Sequence, residues 1–310
     1  MNFPAKPITL FLCVNPFSTF AAVVSPPPVL SLIASDVYVQ YGGPGVANTL
    51  QHHPSVLSIA VGGSMASADF GSGVFKASSA AADTGSQTTY AYTGMTATFK
   101  NTGAVNISFA AGAIDADIGA VFSRTIGSEA SGQAATVLSS ALSGTYPGNN
   151  VPGVSVLYQY GASNSPSSPF FDFHFNPNAG FTGSGTADAD KLSANLAFPA
   201  FTLKPNDILT VNYSLNTWVV AGVGLGTPGS GWSATSDATH TASISLQLPA
   251  GTLLNSPIAL DWVKTAPVPL PPAIGLMLTG LAGIFGFTRQ RSHQTMIFPL
   301  VESTNPGIQS

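Results

Sequence analysis

Apolar and polar residues alternate along much of the middle of the chain. In residues 171–175 phenylalanines alternate with aspartate and histidine, and in residues 242–248 alanine, isoleucine and leucine alternate with serine and glutamine. A period of two places apolar side chains on one face of a strand and polar side chains on the other. Both segments therefore predict half-buried antiparallel strands.

Similar runs recur between residues 26 and 263, separated by glycine, proline, asparagine and serine. They predict strands at 88–99, 105–114, 154–160, 170–175, 192–203, 208–220 and 239–248. One stretch, 129–142, is rich in alanine, serine and leucine and tolerates a helix. Residues 204–207 predict a turn, and we expect the runs on either side to form a hairpin. Many short strands predict an all-β fold, a β-sandwich of jelly-roll or immunoglobulin-like type.

The C-terminal region has a different pattern. Val268-Pro269-Leu270-Pro271 precedes an uncharged, glycine- and leucine-rich run at 273–287, and Arg289 and Arg291 follow it. With its flanking residues this run approaches the ~20 residues that cross a bilayer. It predicts one transmembrane helix after the sandwich, with the arginines on the cytoplasmic side. A buried core helix and a plain tail anchor are the alternatives.

The order of proline motif, apolar helix and basic cluster resembles the PEP-CTERM sorting signal, in a variant with Val-Pro-Leu-Pro in place of Val-Pro-Glu-Pro. The resemblance implies that Val268, Pro269, Leu270 and Pro271 form the sorting motif and that Arg289 and Arg291 form the retention cluster. It also implies processing near the prolines by an exosortase-type membrane protease, and a location at the cell envelope or outside the cell. The chain departs from the family in lacking the glutamate and in continuing through 292–310.

Two further segments, 201–211 and 238–249, resemble the strands that precede many PEP-CTERM signals, although more loosely. This second resemblance implies that the sandwich continues almost to the sorting signal. Residues 255–268 are then expected to form a short tether.

The N-terminal residues 1–24 place Lys6 before an apolar stretch and small residues, which is typical of a secretory signal peptide. Cleavage after Ala21 or later, near Ala34 or Ser35, fits this pattern, and a first buried strand is the alternative. We therefore predict four parts: a signal peptide (1–24), an extracellular sandwich (25–265), a sorting signal (266–291) and a disordered tail (292–310).

The amino-acid composition and the missing motifs argue against several classes of function. Only 7% of the 310 residues are charged, against roughly 25% in ordinary domains, and the net charge is −4. This balance gives no footprint for nucleic acid. The single cysteine, Cys13, excludes internal disulfides and multi-thiolate metal sites. Hydrolase, phosphate-loop and metalloprotease motifs are missing from the sequence, so we expect neither catalysis nor a cofactor.

Some residues nevertheless suggest binding chemistry. Two Asp-Ala-Asp pieces, at 115–117 and 188–190, offer alternate carboxylates to Ca²⁺, or simply bond their own backbone at turns. The adjacent His52 and His53 offer a metal site or a solvated loop pair, and His174 and His240 are scattered. A sugar-binding platform or ordinary core packing explains the aromatic residues Trp218, Trp232, Trp262, Tyr158 and Tyr160.

These observations favour a non-catalytic exported protein of the cell envelope or extracellular matrix, with the sorting protease and the membrane as partners and exopolysaccharide as a further one. The alternative is a secreted carbohydrate-binding module or glycan-active enzyme with the same signal. Such an enzyme needs two carboxylates roughly 5–9.5 Å apart. Asp172 with a second, buried acid is the expected pair.

Overall fold

The structure is a computed structural model that describes residues 25–265 except 44–45, 62, 83–86, 126, 128–131, 149–152, 164–169, 179 and 224–230. Strands are the only regular elements of the described residues. They are β1 Val29–Gly43, β2 Val46–His53, β3 Val56–Val61, β4 Ser64–Asp69, β5 Val74–Ala82, β6 Gln87–Asn101, β7 Ile107–Phe109, β8 Ile114–Thr125, β9 Gly132–Thr145, β10 Val154–Ser163, β11 Phe170–Pro177, β12 Thr182–Ala187, β13 Lys191–Ala197, β14 Phe201–Leu203, β15 Ile208–Val223, β16 Ser233–Leu248, β17 Leu253–Asn255 and β18 Val263–Thr265.

Two large sheets contain most of these strands. Sheet I has the order β11-β10-β9-β15-β6-β1-β17, with β2 also paired to β1. Sheet II has the order β12-β13-β8-β16-β5-β4-β3, with β18 also paired to β16. The short strands β7 and β14 form a separate pair. The sheets pack face to face, as in a β-sandwich, so the predicted all-β class is confirmed.

Small residues bring the two sheets close together around Ser67 of β4, which faces β6, and around Ser79 of β5, which faces β15. Ala66, Ala68 and Ala77 are buried between them. The Thr93 hydroxyl of β6 donates to the Ser67 carbonyl of β4 at 2.9 Å, and Ser79 of β5 donates to the Thr217 carbonyl of β15 at 3.1 Å. Side chains this short reach the facing backbone only if the sheets lie nearer than the usual ~10 Å.

Aromatic side chains fill the wider parts of the core. Phe75 of β5 packs on Tyr213 of β15 with ring centroids 4.8 Å apart. Near the β7–β14 pair, Phe201 stacks on Phe109 at 4.7 Å and on Tyr146 at 4.6 Å. The main core is continuous from one sheet to the other within residues 30–262, as expected of a unit that folds on its own.

The segment after β16 is docked on the sandwich, so the tether expected from residue 255 is wrong as far as residue 265. β17 pairs in parallel with β1, and β18 pairs in parallel with β16. Between them Trp262 is 2% exposed and its indole N–H donates to the Phe70 carbonyl at 2.8 Å. Gly73 has a φ of 67° and leaves room for Trp262, because a methyl group there would collide with it.

The helix tolerated at 129–142 is also wrong within the described residues. Gly132–Thr145 is β9, paired with β10 on one side and β15 on the other. Its buried positions are 134, 136, 138, 140, 142 and 144, a clear period of two. The sheet overrides the helix propensity of alanine and leucine, because Leu138 and Leu142 are buried only in the extended conformation.

Three other expectations fail at turns. The strand expected at 105–114 ends at Phe109, and β8 begins after a turn in which Gly112 has a φ of 76°. The strand expected at 192–203 divides into β13 and β14 around Pro199. The turn at 204–207 is confirmed, but its flanks form no hairpin, since β14 pairs with β7 while β15 pairs with β6 and β9.

The docking of the C-terminal segment yields a first prediction. Trp262→Ala removes a buried indole and leaves the Phe70 carbonyl without its donor, so we expect the free energy of unfolding to fall by about 3–5 kcal/mol. Chemical denaturation of residues 25–265 measures this loss. Trp218→Ala is the matched control, because Trp218 is only half-buried and should cost less. Equal losses in the two variants would contradict the docking.

A second prediction concerns alkaline pH. Burial raises the pKa of Tyr213 well above its usual range, so the folded state holds this proton more tightly than the unfolded state. The resulting stability is complete below the unfolded-state pKa of about 10 and is lost as pH rises above it. We expect denaturant midpoints to fall with pH in this range and to fall less steeply in Tyr213→Phe. Identical slopes would refute the assignment.

Candidate functional site

The sorting residues lie outside the part of the chain that the structure describes. This applies to Val268, Pro269, Leu270, Pro271, the apolar run at 273–287, Arg289 and Arg291, and also to residues 1–24 and 292–310. Within the described ranges, no helix is long and apolar enough to span a membrane. The sorting signal and its helix therefore stay predictions.

The Asp-Ala-Asp piece at 188–190 forms the turn between β12 and β13. One oxygen of Asp188 accepts hydrogen bonds from the backbone N–H groups of Asp190 and Lys191, both at 2.8 Å. The carboxylate thus bonds its own backbone, as the turn interpretation of this motif predicts. Asp190 points toward Arg124, with 3.6 Å between Oδ1 and Nη2.

Arg124 is a buried cation between the sheets, with 7% of its side chain exposed. It extends from β8 and donates to the Thr136 hydroxyl of β9 at 2.8 Å and to the carbonyl of Ala189. Its guanidinium lies 3.8 Å from the ring centroid of Tyr160. These contacts satisfy the cation within the protein and fasten the 188–190 turn to both sheets.

Asp115 and Asp117 lie on one face of β8, as their spacing predicts. Asn195 of the neighbouring β13 donates to Asp117 at 2.8 Å and to Asp115 at 3.4 Å, and Ser245 of β16 also donates to Asp115. Donors on both neighbouring strands thus stabilise Asp115, and the Asn195 amide stabilises Asp117. The described residues contain no group of three or more histidine, cysteine or acidic side chains placed to hold a metal.

The histidines that the structure describes do not form one site, and each makes different contacts. His52 and His53 alternate across β2: His52 pairs with Asp36 at 2.7 Å, and Nδ1 of His53 accepts the backbone N–H of Val56 at 3.2 Å. His174 pairs with Asp172 at 3.1 Å, and both side chains are about half exposed. His240 lies in β16 beside an irregular register.

The acid pair expected around Asp172 is not found in the described residues. Asp172 is solvent-exposed on the outer face of sheet I, and no aspartate of the described ranges is buried. The carboxylates of Asp69 and Asp207 instead accept backbone N–H groups at turns, at 2.9 Å and 2.7 Å. The expected pairing of Asp172 with a buried acid is therefore wrong for this part of the chain.

Four of the five aromatic residues expected as a sugar platform belong to the interior. Trp232 and Trp262 are 0% and 2% exposed. Tyr158 is buried with its ring 3.9 Å from that of Phe122, and Tyr160 lies under Arg124. Only Trp218 lies on the outer face of sheet I, because it alternates with the buried Thr217 and Val219.

Trp218 belongs to an open cleft of about 460 Å³ on this outer face. We call it the aromatic cleft, lined by Gln40 of β1, Tyr90 and Tyr92 of β6, and Asn216 and Trp218 of β15. Strand register explains the grouping, since Tyr90 is directly opposite Trp218 and Tyr92 directly opposite Asn216. The sequence prediction of a sugar platform does not include Tyr90 and Tyr92, although their spacing of two places both on one strand face.

Strand glycines make room for two of the tyrosine rings. Gly42 is directly opposite Tyr90, and a methyl group added at Gly42 would collide with the ring and hydroxyl of Tyr90. Tyr38 lies over Gly94 in the same way, and its hydroxyl donates to the Tyr213 carbonyl at 3.4 Å. Each ring therefore lies across the sheet instead of standing upright on it.

The aromatic surface continues beyond the cleft. Tyr38 lies 5.3 Å from Tyr92 and 5.9 Å from His52 between ring centroids. The hydroxyls of Tyr38 and Tyr92 are 3.3 Å apart. Burial, followed by these contacts with Tyr92, raises the pKa of Tyr38 far above its usual range, so the hydroxyl stays protonated and able to donate.

A second open cleft of about 450 Å³ lies on sheet II, and its charged lining residues include Asp188, Lys191 and Asp237. The two aspartates already accept backbone N–H groups, Asp237 from Thr239 at 2.8 Å. Its lining contains no aromatic side chain. The aromatic cleft differs from it by combining aromatic rings with side-chain amides.

Comparison with known proteins returns no matching family model, no similar curated protein and no similar solved structure.

The satisfied carboxylates yield a third prediction. Because Asp115, Asp117 and Asp188 already accept hydrogen bonds from the protein, we expect the melting temperature of residues 25–265 to be the same with calcium as with a chelator. Asp117→Asn should change the free energy of unfolding by no more than about 0.5 kcal/mol. A calcium-dependent rise in melting temperature that disappears in Asp117→Asn but persists in Asp188→Asn would contradict this and locate a site on β8.

Proposed function

We propose that the protein is a non-catalytic, exported component of the cell envelope or extracellular matrix, sorted by a PEP-CTERM-like signal at 266–291. The observation that carries the proposal is the order of three sequence features near the C-terminus: Val268-Pro269-Leu270-Pro271, the apolar run at 273–287, and the pair Arg289 and Arg291. In this proposal the run at 273–287 is a transmembrane helix, and an exosortase-type protease acts near the prolines.

The end of the folded unit supports this arrangement. β18 ends at Thr265, only three residues before Val268. Since an extended chain advances at most ~3.6 Å per residue, the four residues that follow Thr265 can reach no farther than about 14 Å. A protease that cleaves there approaches a substrate whose folded body is close to the membrane surface.

The start of the folded unit fits export with early cleavage. β1 begins at Val29, and Leu30 is fully buried. Cleavage near Ala34 or Ser35 would remove Leu30, which pairs with both Asn101 and Leu254. We therefore propose that the signal peptide is removed before Val29, with cleavage after Ala21 as the favoured site.

We propose that the ectodomain is a β-sandwich of jelly-roll or immunoglobulin-like type and that one transmembrane helix follows it. Asp69, Asp188 and Asp207 accept turn N–H groups and Asp117 accepts the Asn195 amide, which supports a non-catalytic role for these acids. Polar side chains that cross the sandwich, such as Ser79 and Thr93, serve inter-sheet hydrogen bonds.

The fourth prediction tests sorting. One tag is inserted before Ala266 and a second after Arg291, and both are followed through cell fractionation in a host that has the protease. We expect the distal tag to separate from the proximal one. Pro269→Ala together with Pro271→Ala should keep both tags on one membrane-bound chain, because the recognition motif is lost while the sandwich is untouched.

Pro205→Ala is the matched control, since Pro205 is an exposed turn residue outside the motif, and processing should be normal. Protease protection of residues 25–265 reports folding in every variant. Normal separation of the tags in the double proline variant would refute the sorting motif. Retention of both tags in the unmodified protein would favour a plain tail anchor instead.

A further inference from the structure

We propose that the aromatic cleft on the outer face of sheet I binds a neutral polysaccharide chain. This goes beyond the proposed function, because sorting to the envelope requires no ligand on the sandwich. The lining of the cleft, the way its rings are held and the length of the aromatic surface all suit such a ligand.

The lining combines two kinds of groups that suit sugars. Tyr90, Tyr92 and Trp218 bring aromatic rings to the cleft, and Gln40 and Asn216 bring side-chain amides. The C–H face of a pyranose ring stacks on an aromatic ring and buries apolar surface. An amide both donates and accepts hydrogen bonds, which matches a ligand covered with hydroxyl groups.

The uncharged lining of the cleft favours neutral glycans over acidic ones. None of the five lining residues carries a formal charge. The hydrogen-bonded pair Asp36 and His52 lies along the same face, beyond Tyr38. A cleft without a cation provides no partner for the carboxylates or sulfates of acidic polysaccharides, so desolvating those groups there would be costly. The ligand is therefore a neutral glycan.

The rings are held in position before any ligand binds. Tyr90 occupies the space above Gly42, and Tyr38 occupies the space above Gly94. All of these residues lie on long strands in the middle of sheet I. Rings that lie across the sheet expose their outer faces to solvent, and a preformed surface loses little conformational entropy on binding.

The aromatic surface is longer than one sugar ring. It crosses the sheet from Trp218 on β15, through Tyr90 and Tyr92 on β6, to Tyr38 on β1 and His52 on β2. Neighbouring strands are ~4.8 Å apart, so these four strands span roughly 14 Å. Such a length accommodates several consecutive sugars and favours a chain over a monosaccharide.

Tryptophan fluorescence gives a direct test with the full chain in a sugar-free detergent. The chain has three tryptophans, of which Trp232 and Trp262 are buried. Trp218 therefore dominates any change in emission or in acrylamide quenching. The probes are hexasaccharides of β-1,4-glucose, β-1,4-mannose, β-1,4-N-acetylglucosamine and α-1,4-glucose, with a hexa-uronate as the acidic comparison. We expect saturable protection from quenching by at least one neutral probe and none by the uronate.

Variants locate the site. Tyr92→Ala and Asn216→Ala should each weaken binding of that probe at least about tenfold, measured by calorimetry. Gly42→Ala should weaken it similarly without removing any aromatic residue, because the added methyl group displaces Tyr90. Phe171→Ala is the matched control: Phe171 is 48% exposed on β11 of the same sheet but lies outside the cleft, and its binding should be unchanged.

Several outcomes would overturn the inference. They are no binding of any neutral probe, binding that survives both Tyr92→Ala and Asn216→Ala, and preference for the uronate. Protection of Trp218 that depends on protein concentration without sugar would assign the cleft to a second copy of the chain instead. Asn216→Ala replaces a partly exposed polar residue and should preserve the melting temperature, so loss of binding there reports the site. Tag separation is read independently, so either proposal can fail alone.

Discussion

The close approach of the two sheets is the constraint on which the rest of the molecule depends. Side chains of serine and threonine on one sheet bond the backbone of the other, and alanines fill the space between them. Such a narrow interior leaves little room for long polar side chains, and those of the described residues lie on outer faces and at turns, with Arg124 as the exception. Large aromatic groups are confined to the wider regions, such as the contact of Phe75 with Tyr213 and the group around Phe201.

The close approach of the sheets also explains the contacts that charged side chains make in the described residues. Arg124, which enters the space between the sheets, finds a hydroxyl, a carbonyl and an aromatic face there. Asp188 and Asp207 close turns through backbone N–H groups. These three charged side chains therefore organise local geometry, and the outer face of sheet I around Trp218 presents aromatic and amide groups.

Period-two alternation was enough to predict the all-β class and strands such as β6, β10 and β15, because alternation reports directly which face is buried. It failed for β9, where small residues suit both helix and strand, and where only pairing with β10 and β15 decides. It also failed for the docked segment around Trp262, whose conformation depends on distant contacts with Phe70. The aromatic cleft depends on cross-strand register between residues far apart in sequence, which no local pattern contains.

The glycine beneath Tyr90 has an evolutionary consequence. The ring of Tyr90 occupies the volume that a β-carbon at position 42 would need. The effect on fitness of a substitution at either position therefore depends on which residue occupies the other. A larger residue at position 42 becomes acceptable only after the ring has gone, and once it is fixed the tyrosine cannot return without a reversal. The two positions should therefore drift as a coupled pair, and lineages that lose one partner should lose the other soon afterwards.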